Sequence, residues 1–181
     1  RFLKNEENEC EVVTAFGEVN GMEVYAFAQS IDVNKGAMGK VQASKINHLY
    51  DMALKTGFPV IGIYDSFGAH IDEGVDALEA YGSIIKSAGN LSGVVPQISV
   101  VAGTCIGSAA VLASLADVVI IEKDADFYIS NEEAKCNTAA LIADDDLEAM
   151  NLAVQVLSYL PSNNLSDPIF TDYVAASNSE D

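Results

Sequence analysis

The chain has no tryptophan, 4 prolines, 2 histidines and 9 basic residues among 181. Against those 9 lysines and arginines stand 27 aspartates and glutamates, a formal net charge of -18, so nucleic acid and anionic membrane surfaces would be repelled. The plain reading of this charge is a solvated acidic surface, and an anionic ligand held by a few local lysines stays compatible with it. Three cysteines, Cys10, Cys105 and Cys136, lie far apart with no CxxC pair. That argues against a disulfide framework or a cysteine zinc site and fits a reducing, cytoplasmic setting. Arg1 is no initiator and no apolar signal region follows it, so the natural N-terminus is expected to lie elsewhere.

What is present is a globular composition: half of the residues are hydrophobic, and the length suits one domain with a sizeable core. Residues 87–116 carry no charge, long enough to raise a membrane span. Their apolar residues fall in short β-branched runs broken by Pro96, glycines and serines, which predicts a buried strand–helix–strand unit and no membrane insertion.

In order along the chain, residues 11–16 and 22–28 read as two strands joined by Asn20-Gly21, a strong hairpin signal. Residues 29–40 form a loop. Ile46, Leu49, Tyr50, Ala53 and Leu54 space as the core stripe of a helix stopped by Gly57 and Pro59. Residues 60–64 are too short an apolar run for a helix and predict a buried strand. Val75, Leu78, Gly82 and Ile85 predict a second helix face, and residues 98–101 a strand broken at Gly103. A helix over about 106–114, a strand over 118–121 and a short strand at 126–129 follow. Leu147, Met150, Val154 and Leu157 mark a last helix, opened by Asp145 with Glu148 as a capping box. The alternation makes an α/β protein with mostly parallel pairing.

Ligands of open α/β sheets sit beyond the carboxyl ends of the strands, and two such ends stand out here. Residues 66–69 and 107–109 are small, so backbone can approach a ligand, and the second loop opens a helix whose unpaired N–H groups favour negative charge. Together they predict an anion or oxyanion hole; the plainer reading is glycines that permit close helix–strand packing. Asp144, Asp145, Asp146 and Glu148 suit a helix N-terminus without any metal. His48 reads as a solvent-facing helix residue, His70 as an exposed loop histidine, and Cys105 as core.

These segments resemble a known family. Asp65-Ser66-Phe67-Gly68-Ala69-His70-Ile71-Asp72-Glu73-Gly74-Val75 is similar to the Asp-Ser-Gly-Gly-Ala-Arg-Ile-Gln-Glu-Gly-Val motif of carboxyltransferase subunits of biotin-dependent acyl-CoA carboxylases and decarboxylases. Ser92-Gly93-Val94-Val95-Pro96-Gln97-Ile98-Ser99 resembles the family's Ser-Gly-Val-Ile-Pro-Gln-Ile-Ser, and Gly103-Thr104-Cys105-Ile106-Gly107-Ser108-Ala109 its Gly-Pro-Cys-Ala-Gly-Gly-Ala. The lead-in over 53–59 and the segment 157–164 agree as well, so the resemblance covers about residues 12–164.

The resemblance implies a crotonase-like (ClpP-type) α/β fold of stacked ββα units, as a single domain over residues 1–165 with an acidic polar tail over 166–181. It also implies an N-terminal, acyl-CoA-binding half in a chain about half the usual length. The implied reaction moves a carboxyl group between carboxybiotin and an acyl-CoA through a thioester enolate. Carried over, the thioester oxygen meets backbone N–H groups of Gly68 or Ala69 and of Gly107 or Ser108, while Lys35, Lys40, Lys45 and Phe67 lie on the CoA side. Biotin comes on a partner carrier protein, a second carboxyltransferase half completes the site, the assembly is a homo- or hetero-oligomer, and no metal is involved. Departures from the pattern fall at Phe67 and Ser108, where the family has glycines, at His70 and Asp72, and in a short segment over 129–136. Phe67 is expected to obstruct the thioester's approach. Two other readings stand beside this one: a non-catalytic CoA-binding or assembly subunit, and a ClpP-type serine peptidase with Ser108 as nucleophile and His70 or His48 as base.

Overall fold

The computed structural model describes residues 11–130 and 137–170. The expected hairpin is β1 (Val12–Val19) paired antiparallel with β2 (Met22–Gln29). Asn20 (φ 51°) and Gly21 (φ 83°) both adopt the left-handed conformation that a two-residue type I′ turn requires. From β2 onward the pairing is parallel, through β3 (Val60–Ser66), β4 (Gln97–Ile106) and β5 (Val118–Glu122). A short strand β6 (Asp126–Tyr128) pairs with the end of β4, and β7 (Leu141–Ala143), too short to show a period in the sequence, extends the sheet beyond β5.

The expected break at Gly103 does not occur: β4 runs on to Ile106. Gly103 instead makes room for a carboxylate, since a Cβ there would lie 2.7 Å from Asp65 Oδ1, the atom that accepts the Thr104 N–H at 3.0 Å. The first part of β4 pairs with β5 and residues 104–106 pair with β6, so one strand serves two neighbours in succession.

Helices α1 (Lys40–Thr56), α2 (Val75–Leu91) and α3 (Ser108–Ala113) share one core with Phe27, Val60 and Tyr64 of the sheet. Helix α4 (Asp146–Leu157) shares the other with Ile61, Ile98, Val100 and Ile120. Strands buried on both faces explain why they read as continuous apolar runs. Between β3 and α1, Phe27 meets Tyr64 edge-on at 5.5 Å and Tyr50 at 6.0 Å. Each such pair is worth roughly 0.5–1.5 kcal/mol beyond its buried area.

Gly57 (φ 74°) ends α1 in the left-handed cap its type predicts, with its N–H on the Ala53 carbonyl at 2.8 Å. Leu54 lies outside the buried stripe of Ala43, Ile46, Leu49, Tyr50 and Ala53 and is exposed. The face expected for α2 is corrected more deeply. Val75 and Leu78 are 81% and 72% exposed, while Ala77, Ala80, Tyr81, Ile84, Ala88 and Leu91 are buried. The alanines let α2 lie close to α1, and a helix with apolar residues on two faces offers two stripes to a period count. In α4, Asp145 caps the Glu148 N–H at 2.8 Å as expected, and Glu148 returns a bond to the Asp144 N–H. Leu147 is exposed, because the buried line runs through Ala149, Ala153 and Leu157.

Beyond α4 the chain is tied back to the body: Asn163 Nδ2 donates to the Gly57 carbonyl and the Asn164 N–H to the Val94 carbonyl, both at 2.9 Å. Cys105 is fully buried, as read; Cys10, Cys136, most of the short 129–136 segment and the end of the expected tail lie outside the described residues. Among the described residues no helix is long and apolar enough to cross a membrane.

Candidate functional site

Parallel pairing puts the carboxyl ends of β2, β3 and β4 on one edge of the sheet. The loop after β2 and the loop after β3 are laced together there. Phe67 N–H donates to the Lys35 carbonyl (3.0 Å), Met38 N–H to the Gly68 carbonyl (2.9 Å) and His70 N–H to the Met38 carbonyl (2.9 Å). Two glycines permit the approach. Gly36 (φ 64°) would bring a Cβ within 2.3 Å of the Asp65 carbonyl oxygen, and Gly68 (φ 97°) would bring one within 3.0 Å of the Ile106 carbonyl oxygen and 3.7 Å of Ser108 N. The turn after β3 and the start of α3 therefore meet, as the motif spacing predicts.

Of the four expected backbone donors, two are engaged inside the protein. Gly68 N–H donates to Ser66 Oγ at 3.0 Å and Gly107 N–H to the Tyr128 carbonyl at 3.0 Å. The N–H groups of Ala69 and Ser108 make no hydrogen bond to another described residue. In each expected pair, the second member is the one whose N–H has no partner among the described residues.

Phe67 is 48% exposed and has a negative φ, so the bulky residue sits at the family's glycine position without left-handed strain. Its ring carries Lys35 Nζ 5.6 Å from the centroid, and Lys35 itself adopts φ 58°. Lys40 points to a different neighbour: its Nζ is 3.1 Å from Asp76 and 3.4 Å from Glu79, and these carboxylates raise its pKa. Its backbone N–H donates to Glu73 Oε2 at 2.9 Å, which caps α1 where Gly39 has no side chain to do so. Lys45 lines a separate cleft of about 470 Å³ with Phe16, Tyr25, His48 and Met52. Of the three lysines, Lys35 is the one whose ammonium lies over the Phe67 ring.

His70 is not the exposed loop residue expected. It is half-buried and its Nδ1, wholly buried, has no partner among the described residues, because the bond to Met38 draws this loop onto the body. No hydrogen bond joins Ser108 to His70 or His48, the contact a peptidase base would need. His48 is exposed, as read.

Glu11, Gln29, Ser66 and Tyr81 carry structure here that sequence reasoning overlooked. Glu11 is buried, and its carboxylate accepts from Asn34 Nδ2 and from Gln42 Nε2 at 2.6 Å. Burial works to raise its pKa; its own backbone N–H, the two amides and the charge of His70 outweigh burial and hold it below the ordinary 4.5. Burial pushes the phenols of Tyr64 and Tyr81 well up.

A mostly parallel sheet, helices on both faces and a backbone-lined edge where a glycine turn meets a helix start define a crotonase-like α/β domain. The chain belongs to the carboxyl transferase domain family, whose pattern matches residues 3–132. It is 36% identical to the propionyl-CoA carboxylase beta chain of Saccharopolyspora erythraea, over 88% of this chain and 34% of that one. It is also 36% identical to the methylmalonyl-CoA decarboxylase subunit alpha of Propionigenium modestum, over 85% of this chain and 34% of that one. The crystal structure of transcarboxylase 12S, a hexamer with hydrolysed methylmalonyl-CoA bound, superposes with a TM-score of 0.85 at 34% identity, covering 90% of this chain and 36% of that chain. The chain spans about a third of the length of these relatives, less than the half expected from the motifs.

Proposed function

We propose that this chain is the acyl-CoA-binding half of a biotin-dependent carboxyltransferase, which moves a carboxyl group between carboxybiotin and the α-carbon of an acyl-CoA. The observation that carries this is the meeting of the Gly68 turn with the start of α3, which leaves the Ala69 and Ser108 N–H groups as unengaged donors. In this reading they hold the thioester oxygen, whose charge grows as the α-carbon becomes an enolate. Donors fixed before the reaction stabilise that charge without reorganising. Removing one such donor typically costs about 10²–10³ in rate.

Lys35 is the cation placed for the CoA side; Lys40, matched by two carboxylates, and Lys45, in its own cleft, serve this less well. Biotin arrives on a partner's carrier domain, and no residue of this chain is assigned to it. The second carboxyltransferase half docks beside the site, where the large apolar residues Phe67, Ile71, Val75 and Leu78 are exposed. Relatives act as subunits, one of them in a hexamer, which supports an oligomeric assembly. Residues 1–165 form the working domain, and the setting is the cytoplasm.

Phe67 favours a second reading, a CoA-binding subunit without catalysis, because its side chain stands where family members have glycine. Calorimetry and melting with acetyl-, propionyl- and methylmalonyl-CoA test the shared premise. Binding stabilises the fold by mass action, and at 100 times Kd the gain is about 2.7 kcal/mol. No heat and no melting shift with any of the three overturns both readings. Carboxyl transfer on adding the second half and carboxybiotin separates the catalytic reading from the other.

A further inference from the structure

Under the two laced loops lies a polar group set in the apolar core. Ser66 is 0% exposed, Tyr81 2% and Gln29 4%. The Ser66 hydroxyl reaches both loops at once: it donates to the Gly36 carbonyl at 2.6 Å and accepts the Gly68 N–H at 3.0 Å. Gln29 Nε2 approaches the same Gly36 carbonyl at 3.4 Å. Gln29 Oε1 and Tyr81 Oη are buried without a hydrogen-bond partner among the described residues. The Tyr81 hydroxyl faces Ser66 and Gln29 closely enough for both to oppose the upward push of burial on its pKa, though it meets the geometry of a bond to neither.

Burying three polar side chains where apolar ones would pack is unfavourable unless they are satisfied by one another. The inventory closes if the Tyr81 O–H turns to a free lone pair, either the second one on Ser66 Oγ or one on Gln29 Oε1. What the set grips is specific. It holds the carbonyl of Gly36 and the N–H of Gly68, the two left-handed glycines on which the lacing depends.

We propose that Ser66, Gln29 and Tyr81 are positioning residues that lock the Phe67–Gly68 peptide and thereby aim the next N–H, that of Ala69, at the ligand. Ser66 makes the grip, and Tyr81 with Gln29 fixes its rotamer. What the aimed N–H does for a thioester rests on the acyl-CoA reading; the grip on the loop does not.

The test uses the full chain and the variants Tyr81→Phe, which removes one oxygen at constant shape, and Ser66→Ala. Amide hydrogen exchange at Gly68, whose N–H Ser66 holds, is compared with core amides at Leu49 and Ile98, and propionyl-CoA is titrated into each protein. The expected result is exchange at Gly68 at least about tenfold faster in Ser66→Ala, a smaller increase in Tyr81→Phe, and unchanged core amides. Exchange at Gly68 within about twofold of the parent in a folded variant overturns the proposal. Should Ser66→Ala not fold, Tyr81→Phe decides by the same measure. A parent that binds no propionyl-CoA overturns the acyl-CoA reading while the exchange data still decide the grip; variants that bind it as tightly as the parent overturn the aiming of Ala69 and leave that reading standing.

Discussion

Lys35 Nζ rests 5.6 Å from the centre of the Phe67 ring, and the Phe67 N–H donates to the Lys35 carbonyl at 3.0 Å, so side chain and backbone both join these two residues at the edge of the site. An exposed cation–π contact of this kind is worth about 0.5–1 kcal/mol, small enough for a ligand phosphate to displace. Phe67→Gly frees the lysine and clears the approach to the Ala69 N–H, and its effect on stability is slight because Phe67 is half exposed. Propionyl-CoA affinity is expected to rise about tenfold, equivalent to ~1.4 kcal/mol. Unchanged or weaker binding by calorimetry means that the side chain is a contact and no obstruction.

Gly62 sits under the aromatic core of β3. A Cβ there would lie 2.6 Å from Phe27 Cζ and 2.9 Å from Tyr64, and both rings are held edge-on by their neighbours. Gly62→Ala is expected to destabilise the fold by about 1–3 kcal/mol, the usual cost of forcing volume into a packed core. Urea denaturation measures it. A loss below half of the lower figure would show that the rings can shift aside.

Much of this architecture is legible in local sequence. Asn20-Gly21 predicts the hairpin, Gly57 the end of α1 and Asp145 the start of α4, because each signal acts within a few residues. What local signals miss is set by distant partners. Val75 and Leu78 look like a core stripe until the sheet chooses the alanine face of α2. Gly103 looks like a strand end until Asp65 explains it. The same holds at the site. The motifs locate both loops, but which N–H groups remain unengaged depends on Ser66 and on Tyr128, whose partners are fixed only by folding.

Glu11 gives the fold an acid-sensitive tie between the loop after β2 and the first turn of α1. Its folded pKa lies below the ordinary 4.5, so its contribution is fully present above that value and is lost as pH falls through the lowered one. Glu11→Gln removes the charge and is expected to cost about 1.5–3 kcal/mol at pH 7, the range for hydrogen bonds to an ionised group. With 27 acids the chain will respond to acid in any case, so the informative quantity is the difference between the two proteins. Urea titrations should show that difference shrinking as pH drops below the carboxylate range. A gap that stays constant with pH would assign the effect to shape instead of charge.

Ile71 is 89% exposed, and Phe67 before it and Val75 and Leu78 after it in the chain are exposed large apolar residues too. Asp72, Glu73, Asp76 and Glu79 are interspersed with them in the sequence, and Lys40 pairs with the last two. Two copies of this face would bring carboxylates against carboxylates, so the surface suits a partner with an apolar centre and basic residues around it. The second carboxyltransferase half, which must reach the same site, is the occupant this reading requires. Leu78→Asp leaves the core untouched because Leu78 faces solvent, so melting and propionyl-CoA binding should stay as in the parent. Affinity for the second half, supplied as a separate polypeptide and followed by interferometry, should fall at least about 30-fold, as for loss of a central interface residue worth ~2 kcal/mol. Raising salt should weaken the parent complex as well, since these charged residues contribute to steering. Equal binding by parent and variant would place the second half on another face of the domain.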